Sequence, residues 1–220
     1  MAFKVLIACE VSQIICSEFR NLGVEAYSCD LLPTSGLYPQ WHILGDAVRE
    51  AYSGQYSFMI AHPPCQYLSN AGNRYLNSKI YGSQAFDRHY RRFLAASFFM
   101  QLYNAPIQHI AIENPVGFIN PIIKPSQIIN PYYFGEAEKK RTCLWLKNLP
   151  ALFHTAVNTL FEPSTHVPVE PVYISKNGKQ HFFTESITGH IHNSSSLRSR
   201  SFKSIAKAMA FQWSTYLNLL

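Results

Sequence analysis

No hydrophobic run in the sequence approaches the ~20 residues that a membrane-spanning helix needs. The longest apolar stretches, such as residues 98–100 and 110–112, are only a few residues each. The N-terminal "MAFKVLIACE" has one lysine and an apolar run at 5–9 that stops at Glu10, too short and wrongly flanked for a signal peptide. The five cysteines (Cys9, Cys16, Cys29, Cys65 and Cys143) form no C-x-x-C pair. Neither a disulfide framework nor a zinc knuckle is therefore expected, and a reducing, cytoplasmic setting is. His190 and His192 in "GHIHN" have no acidic or cysteine partner at ligand spacing, so no metal is expected. Charged residues are also scarce, at 15%. Hydrophobic and aromatic contents of 47% and 14% nevertheless exclude a disordered chain.

What is present suits a single domain with a small appendage, given 220 residues. The net charge of +6 is uneven: residues 1–57 hold three Lys/Arg against six Asp/Glu, whereas 58–220 hold sixteen against seven. A basic surface of this kind favours a polyanion through counterion release, although solvated lysines give the same arithmetic. No pattern indicates a membrane partner or sets the oligomeric state.

"FKVLIAC" (3–9) reads as a buried strand, "SQIICSEFRNLG" (12–23) as a helix stopped by Gly23, and "VEAYSCD" (24–30) as a second strand. Such a βαβ unit opens a doubly wound, mostly parallel sheet, so the expected fold class is α/β and Rossmann-like. A short helix follows in "HILGDAVREAYSG", then a strand that Pro63 and Pro64 stop. Residues 83–104 form the longest helical pattern, with Ser83 as candidate N-cap and an apolar face through Phe86, Tyr90, Phe93, Leu94 and Phe98. "HIAIENP" (109–115) and "RTCLWLK" (141–147) are further strands, and 202–217 a last helix with Ile205, Ala208, Met209 and Trp213 on one side. Between them, Asn177-Gly178 suits a type I′ hairpin turn. The expected organisation is a core at 1–150, an appendage at 151–196 and a segment at 197–220 that returns to the core.

In such sheets ligands bind beyond the carboxyl ends of the strands. Glu10, Asp30, Asp46, Cys65 and Glu113 all fall at those ends. Taken singly, each acid is as well explained as a helix cap. A "PPC" at one strand end and an "ENP" at a later one are more specific. Together they resemble the DNA (cytosine-5) methyltransferases, in which a Pro-Cys motif carries the nucleophile and a Glu-Asn motif binds the target ring. The first βαβ unit matches that family's S-adenosylmethionine site. Residues 139–146 lie where its arginine-rich strand motif lies, and "RSRSFKSIAKAMAFQW" where its last cofactor-side motifs come. The layout is most similar to short phage- or prophage-encoded members.

The resemblance implies the class I methyltransferase fold, S-adenosylmethionine as cofactor, and DNA, duplex or single-stranded, as partner. It makes Cys65 the nucleophile and Glu113 the proton donor to the ring, with a raised pKa. Asn114 would shape the turn, and Lys140 with Arg141 would contact the 2-oxo group. It puts Ala8, Cys9, Glu10, Val11 and Ser12 against the methionine part of the cofactor. Asp30 with Leu31 falls on the ribose hydroxyls, Asp46 with Ala47 on the adenine, and Pro63 and Pro64 beside them. The family's first loop is glycine-rich, whereas "ACEVSQ" has no glycine. Either the loop takes another path, with Glu10 on the cofactor's amino group, or affinity is weak. Residues 66–72 are expected to close over the base, with Ser69, Asn70 and Asn73 reaching substrate. Lys176, Lys179, Arg198 and Arg200 would touch phosphates. The segment where relatives carry target recognition is short, which leaves open a free pyrimidine nucleotide as substrate, or a silent DNA-binding protein that keeps the fold.

Overall fold

A computed structural model of the chain describes residues 3–156, 163–178, 180–182 and 201–220. Its first elements are β1 (Val5–Ala8), α1 (Ile14–Asn21), β2 (Ala26–Asp30), β3 (His42–Leu44), α2 (Ala47–Ala51) and β4 (Phe58–Ala61). The chain continues through a 3-10 turn at Asn70–Leu76, α3 (Ser78–Tyr81), α4 (Ser83–Tyr103) and β5 (His109–Pro115). Then come β6 (Gln127–Ile129), β7 (Thr142–Lys147), the two-residue strands β8 (Tyr173–Ile174) and β9 (Gln180–His181), and α5 (Lys203–Tyr216).

Seven strands form one sheet in the order β3-β2-β1-β4-β5-β7-β6. The first five run parallel, β7 pairs antiparallel with β5, and β6 antiparallel with β7. This is the doubly wound, mostly parallel Rossmann-like sheet, with helices on both faces. The side-chain period of two divides β1 between two cores. Val5 and Ile7 face a layer with Phe19, Phe58, Met209 and Trp213, while Leu6 and Ala8 face one with Met59, Phe99, Leu102 and Trp145. Edge-on aromatic contacts lock both layers: Phe58 with Trp213 at 5.8 Å, and Phe99 with Trp145 at 5.0 Å. Among the described residues no helix is long and apolar enough to cross a membrane.

Register matters most for function. Ala8 pairs with Ala61, and Ala61 with Ile112. The parallel pairing of β1, β4 and β5 therefore ends level, and the next residues, Cys9, His62 and Glu113, emerge side by side. Because β7 is reversed, it begins where its neighbours end, and Pro115 pairs with Thr142.

Three local expectations are corrected. The inward side of α4 is Ala85, Arg92, Phe99 and Leu102, and Phe86, Tyr90, Phe93 and Leu94 are exposed. Small side chains lie between helix and sheet, and Arg92 is drawn inward because it bonds the Tyr67 carbonyl (2.8 Å) and the Asn73 side chain (2.7 Å). Ser83 does not cap that helix; Gly82 precedes it with no side-chain cap. In the hairpin the Ser175 carbonyl accepts from Gly178 N, and Gly178 rather than Asn177 takes the positive φ, so the turn is not type I′.

Candidate active site

Where β1 ends, the chain turns with Cys9 at φ 60° and Gln13 at φ 58°. These are left-handed conformations that glycine would adopt without cost. The glycine-free loop thus takes its own path. Glu10 is turned inward and nearly fully buried, and its carboxylate accepts from Ile15 N (2.7 Å) and Cys16 N (3.2 Å). It caps α1 from beneath instead of presenting itself to a ligand's amino group. Burial raises its pKa against the pull of those two N–H groups and of His62.

From β4 the chain passes His62, Pro63 and Pro64 to Cys65. The Asn114 side chain donates to the Pro63 carbonyl at 2.6 Å and so ties the end of β5 to the proline turn. The Cys65 carbonyl accepts from Leu68 N and Ser69 N. This tight turn leaves the thiol half-buried at the sheet edge. The following segment is well anchored. Arg88 bonds the carbonyls of Gly72 and Gln66, Arg92 bonds Tyr67 and Asn73, and Phe118 N donates to the Leu68 carbonyl at 2.7 Å. Gly117 permits that last approach, since a Cβ there would run into the Leu68 carbonyl. The expected closing loop is thus tied to α4 and to the turn after β5. Asn73 is engaged by Arg92 and by Asn70.

Glu113, at the end of β5, sits 3.0 Å from His62 Nδ1. Burial pushes its pKa up, but the hydrogen bond and charge of His62, the Lys140 charge and Thr142 outweigh it, so the net shift is downward. The expectation of a raised pKa is therefore corrected: His62, reached across the β4–β5 pairing, and then Lys140, just before the reversed strand, hold the carboxyl below its ordinary value. Lys140 itself lies 5.5 Å from the centre of the Phe202 ring.

These parts share one cavity of about 740 Å³. All five residues expected to act on the base line it: Cys65, Glu113, Asn114, Lys140 and Arg141. So do Cys9, Glu10, Val11, Ser12, Pro63 and Pro64 from the expected cofactor set, and Ser69 and Asn70 from the substrate set. Ala8 is fully buried within β1 and does not reach the cavity. Asp30, Leu31, Asp46 and Ala47 stand outside its lining, as do Asn73 and the exposed Lys176. Lys179, Arg198 and Arg200, like His190 and His192, lie outside the described residues.

Several walls were expected only as segments. Lys139 and Thr142 enter beside Lys140, and Phe202, just before α5, supplies an apolar side with Ile205 and Met209. His62 was missed, although its place directly before the two prolines could have flagged it. Among the described residues no group of three His, Cys, Asp or Glu could hold a metal ion.

No protein-family model matches the chain, and no curated protein does. Several solved structures do. A protein described as a DNA modification methyltransferase encoded within an E. coli prophage is 12% identical, with a TM-score of 0.40 over 76% of this chain and 53% of its own. The S. pombe Dnmt2 methyltransferase is 10% identical, with a TM-score of 0.47 over 99% of this chain and 100% of that one. A Spodoptera frugiperda DNMT2 mutant is 15% identical, with a TM-score of 0.38 over 87% of this chain and 61% of that one. The chain spans about half the length of the prophage protein.

Proposed function

We propose that the chain transfers a methyl group from S-adenosylmethionine to carbon 5 of cytosine in DNA, with Cys65 as nucleophile. One observation carries this reading: a half-buried thiol, a carboxylate and a lysine, delivered by β4, β5 and the reversed β7, share one cavity at the sheet's ligand-binding edge.

The residues at the strand ends fit the cofactor. Asp30 Oδ1 accepts from Leu32 N, and Asp46 Oδ1 from Val48 N and Arg49 N. Each keeps a second oxygen for a ribose hydroxyl or an adenine amine. The exposed Leu31 and Leu44 offer apolar contact between them. Glu10 is committed to α1, so the amino-acid end would meet the backbone of residues 9–12 instead. When bound, S-adenosylmethionine supplies an electrophilic methyl group.

The chain's own residues make carbon 5 able to take that group. Addition of the Cys65 thiolate to carbon 6 converts the ring to an enamine. A proton delivered to ring nitrogen 3 by Glu113 relieves the developing negative charge. Lys140 opposite the 2-oxo group acts as a point charge, less directional than an arginine fork. After transfer, the carbon 5 proton is removed and the thiolate leaves. A duplex base must be flipped out to reach this cavity. With only residues 151–196 available as a recognition appendage to the 1–150 core, before 197–220 returns to it, specificity is short or relaxed.

The test is intact-mass analysis after mixing the protein with S-adenosylmethionine and 5-fluorocytosine in duplex DNA, in single strands, or as deoxycytidine monophosphate. Fluorine at carbon 5 prevents the final elimination, so a covalent adduct accumulates. We expect the adduct with DNA and its loss in Cys65→Ala. An adduct confined to the mononucleotide would move the substrate to a free nucleotide, and none with any form overturns the reading.

A further inference from the structure

His62 and Lys140 hold the Glu113 carboxyl below its ordinary pKa, yet thiolate addition calls for a proton at ring nitrogen 3. The register places a second acid beside it. Ala61 and Ile112 are paired, and the next residues, His62 and Glu113, face each other with Nδ1 3.0 Å from Oε2. The other ring nitrogen of His62, Nε2, is buried without a hydrogen-bond partner among the described residues. His62 lines the same cavity as Cys65. Glu10 lies on the β1 side of the imidazole and Glu113 on the β5 side, with Lys140 beyond Glu113. One imidazole thus stands between two carboxyl groups, one capping a helix and the other facing the cavity. Among the described residues, Glu113 is the one of the two with a hydrogen bond to it.

We propose that His62 is a positioning residue that orients Glu113 and replenishes its proton, a role that rests on reading Glu113 as the donor to the base. As the sulfur–carbon 6 bond forms, the carbon 5–carbon 6 π pair moves to carbon 4–carbon 5. The carbon 4–nitrogen 3 π pair moves to nitrogen 3, which takes the proton that Glu113 has received from His62 Nδ1. The imidazolium becomes neutral imidazole, and Glu113 is a carboxylate again. When carbon 5 has gained its methyl group and loses its proton, the carbon 5–carbon 6 double bond reforms and the thiolate departs. Nitrogen 3 then returns its proton along the same pair. A neutral imidazole is again protonated, no oxidant or reductant is consumed, and the one proton released is that from carbon 5.

Two measurements test this. The first uses neither DNA nor cofactor: the Nδ1 proton of the His62 ring is followed by NMR in the wild type and in Glu113→Gln. Loss of the hydrogen bond to a carboxylate should move that resonance upfield. An unchanged resonance overturns the proposal. The second follows the rate of adduct formation with 5-fluorocytosine DNA against pH for the wild type, His62→Gln and His62→Asn. Both variants should react about 100-fold more slowly and lose the fall in rate at alkaline pH, with S-adenosylmethionine affinity unchanged by calorimetry. A slower variant that keeps the wild-type pH profile reduces His62 to a packing role and overturns the proposal, as does a wild-type rate. If the wild type itself forms no adduct, the reading of the site fails, whatever the His62 resonance shows.

Discussion

Glu10 shows how one carboxyl can be committed to the fold while standing at the edge of a site. Both its oxygens accept from the first turn of α1, and burial raises its pKa. A group whose folded pKa is raised contributes stability that is fully present below its unfolded value and is lost as pH rises through the folded one. Thermal unfolding followed against pH should therefore show the wild type losing stability across that window. Glu10→Gln, neutral throughout, should give a flatter curve, and parallel curves would refute the assignment. Glu10→Ala should cost about 1–3 kcal/mol by leaving two buried N–H groups without an acceptor. The sequence placed Glu10 at a strand end correctly but not its direction. An acid after a strand reads the same whether it turns in or out, and the positive φ of Cys9 and Gln13 decides. The positions of Cys65 and Glu113 at the sheet edge were legible because prolines punctuate their strands. The sign of the Glu113 shift was not, since His62 reaches it only across a strand pairing and Lys140 only through a reversed strand.

At the scale of elements, α4 separates periodicity from burial. Phe86, Tyr90, Phe93 and Leu94 recur at helical spacing and read as a core face, yet the helix turns its alanines, Phe99 and Leu102 to the sheet. Two arginines on the same helix hold the backbone of the segment after Cys65, a demand that outcompetes a hydrophobic stripe. Replacing Phe86 and Phe93 by serine should change stability by no more than ~0.5 kcal/mol each. Phe99→Ala should cost about 3–5 kcal/mol. Denaturant midpoints measure both, and equal losses would mean the stripe is covered in solution. The long buried strands and the two long helices were readable to within a few residues at each end. The three-residue β6 and the four-residue α3 carry too few side chains for a period to register.

For the whole molecule, the uneven charge becomes a spatial statement. The exposed Arg74 and Lys79 lie in the segment that follows Cys65, and Arg91 reaches that segment at the Tyr67 hydroxyl. If that face meets phosphates, log affinity for DNA falls linearly with log salt. Arg74→Ser with Lys79→Ser should then lower the slope by ~0.9 for each phosphate no longer neutralised. The adduct with a mononucleotide should be unaffected. Binding titrations over a salt series measure this, and an unchanged slope would place the DNA elsewhere.

The reversed β7 and the apolar side of α5 also bear on the order of events at the ribosome. Cys9 and Met209, near opposite ends of the sequence, wall the same cavity. A nascent chain can pair β1, β4 and β5 early, and so hold its thiol beside its acid, long before α5 has been synthesised. Until Phe202, Ile205 and Met209 arrive, the cavity lacks its apolar side. Translation itself therefore acts as a timer on the site, and alkylation of Cys65 in stalled chains would report how far the chain has been read.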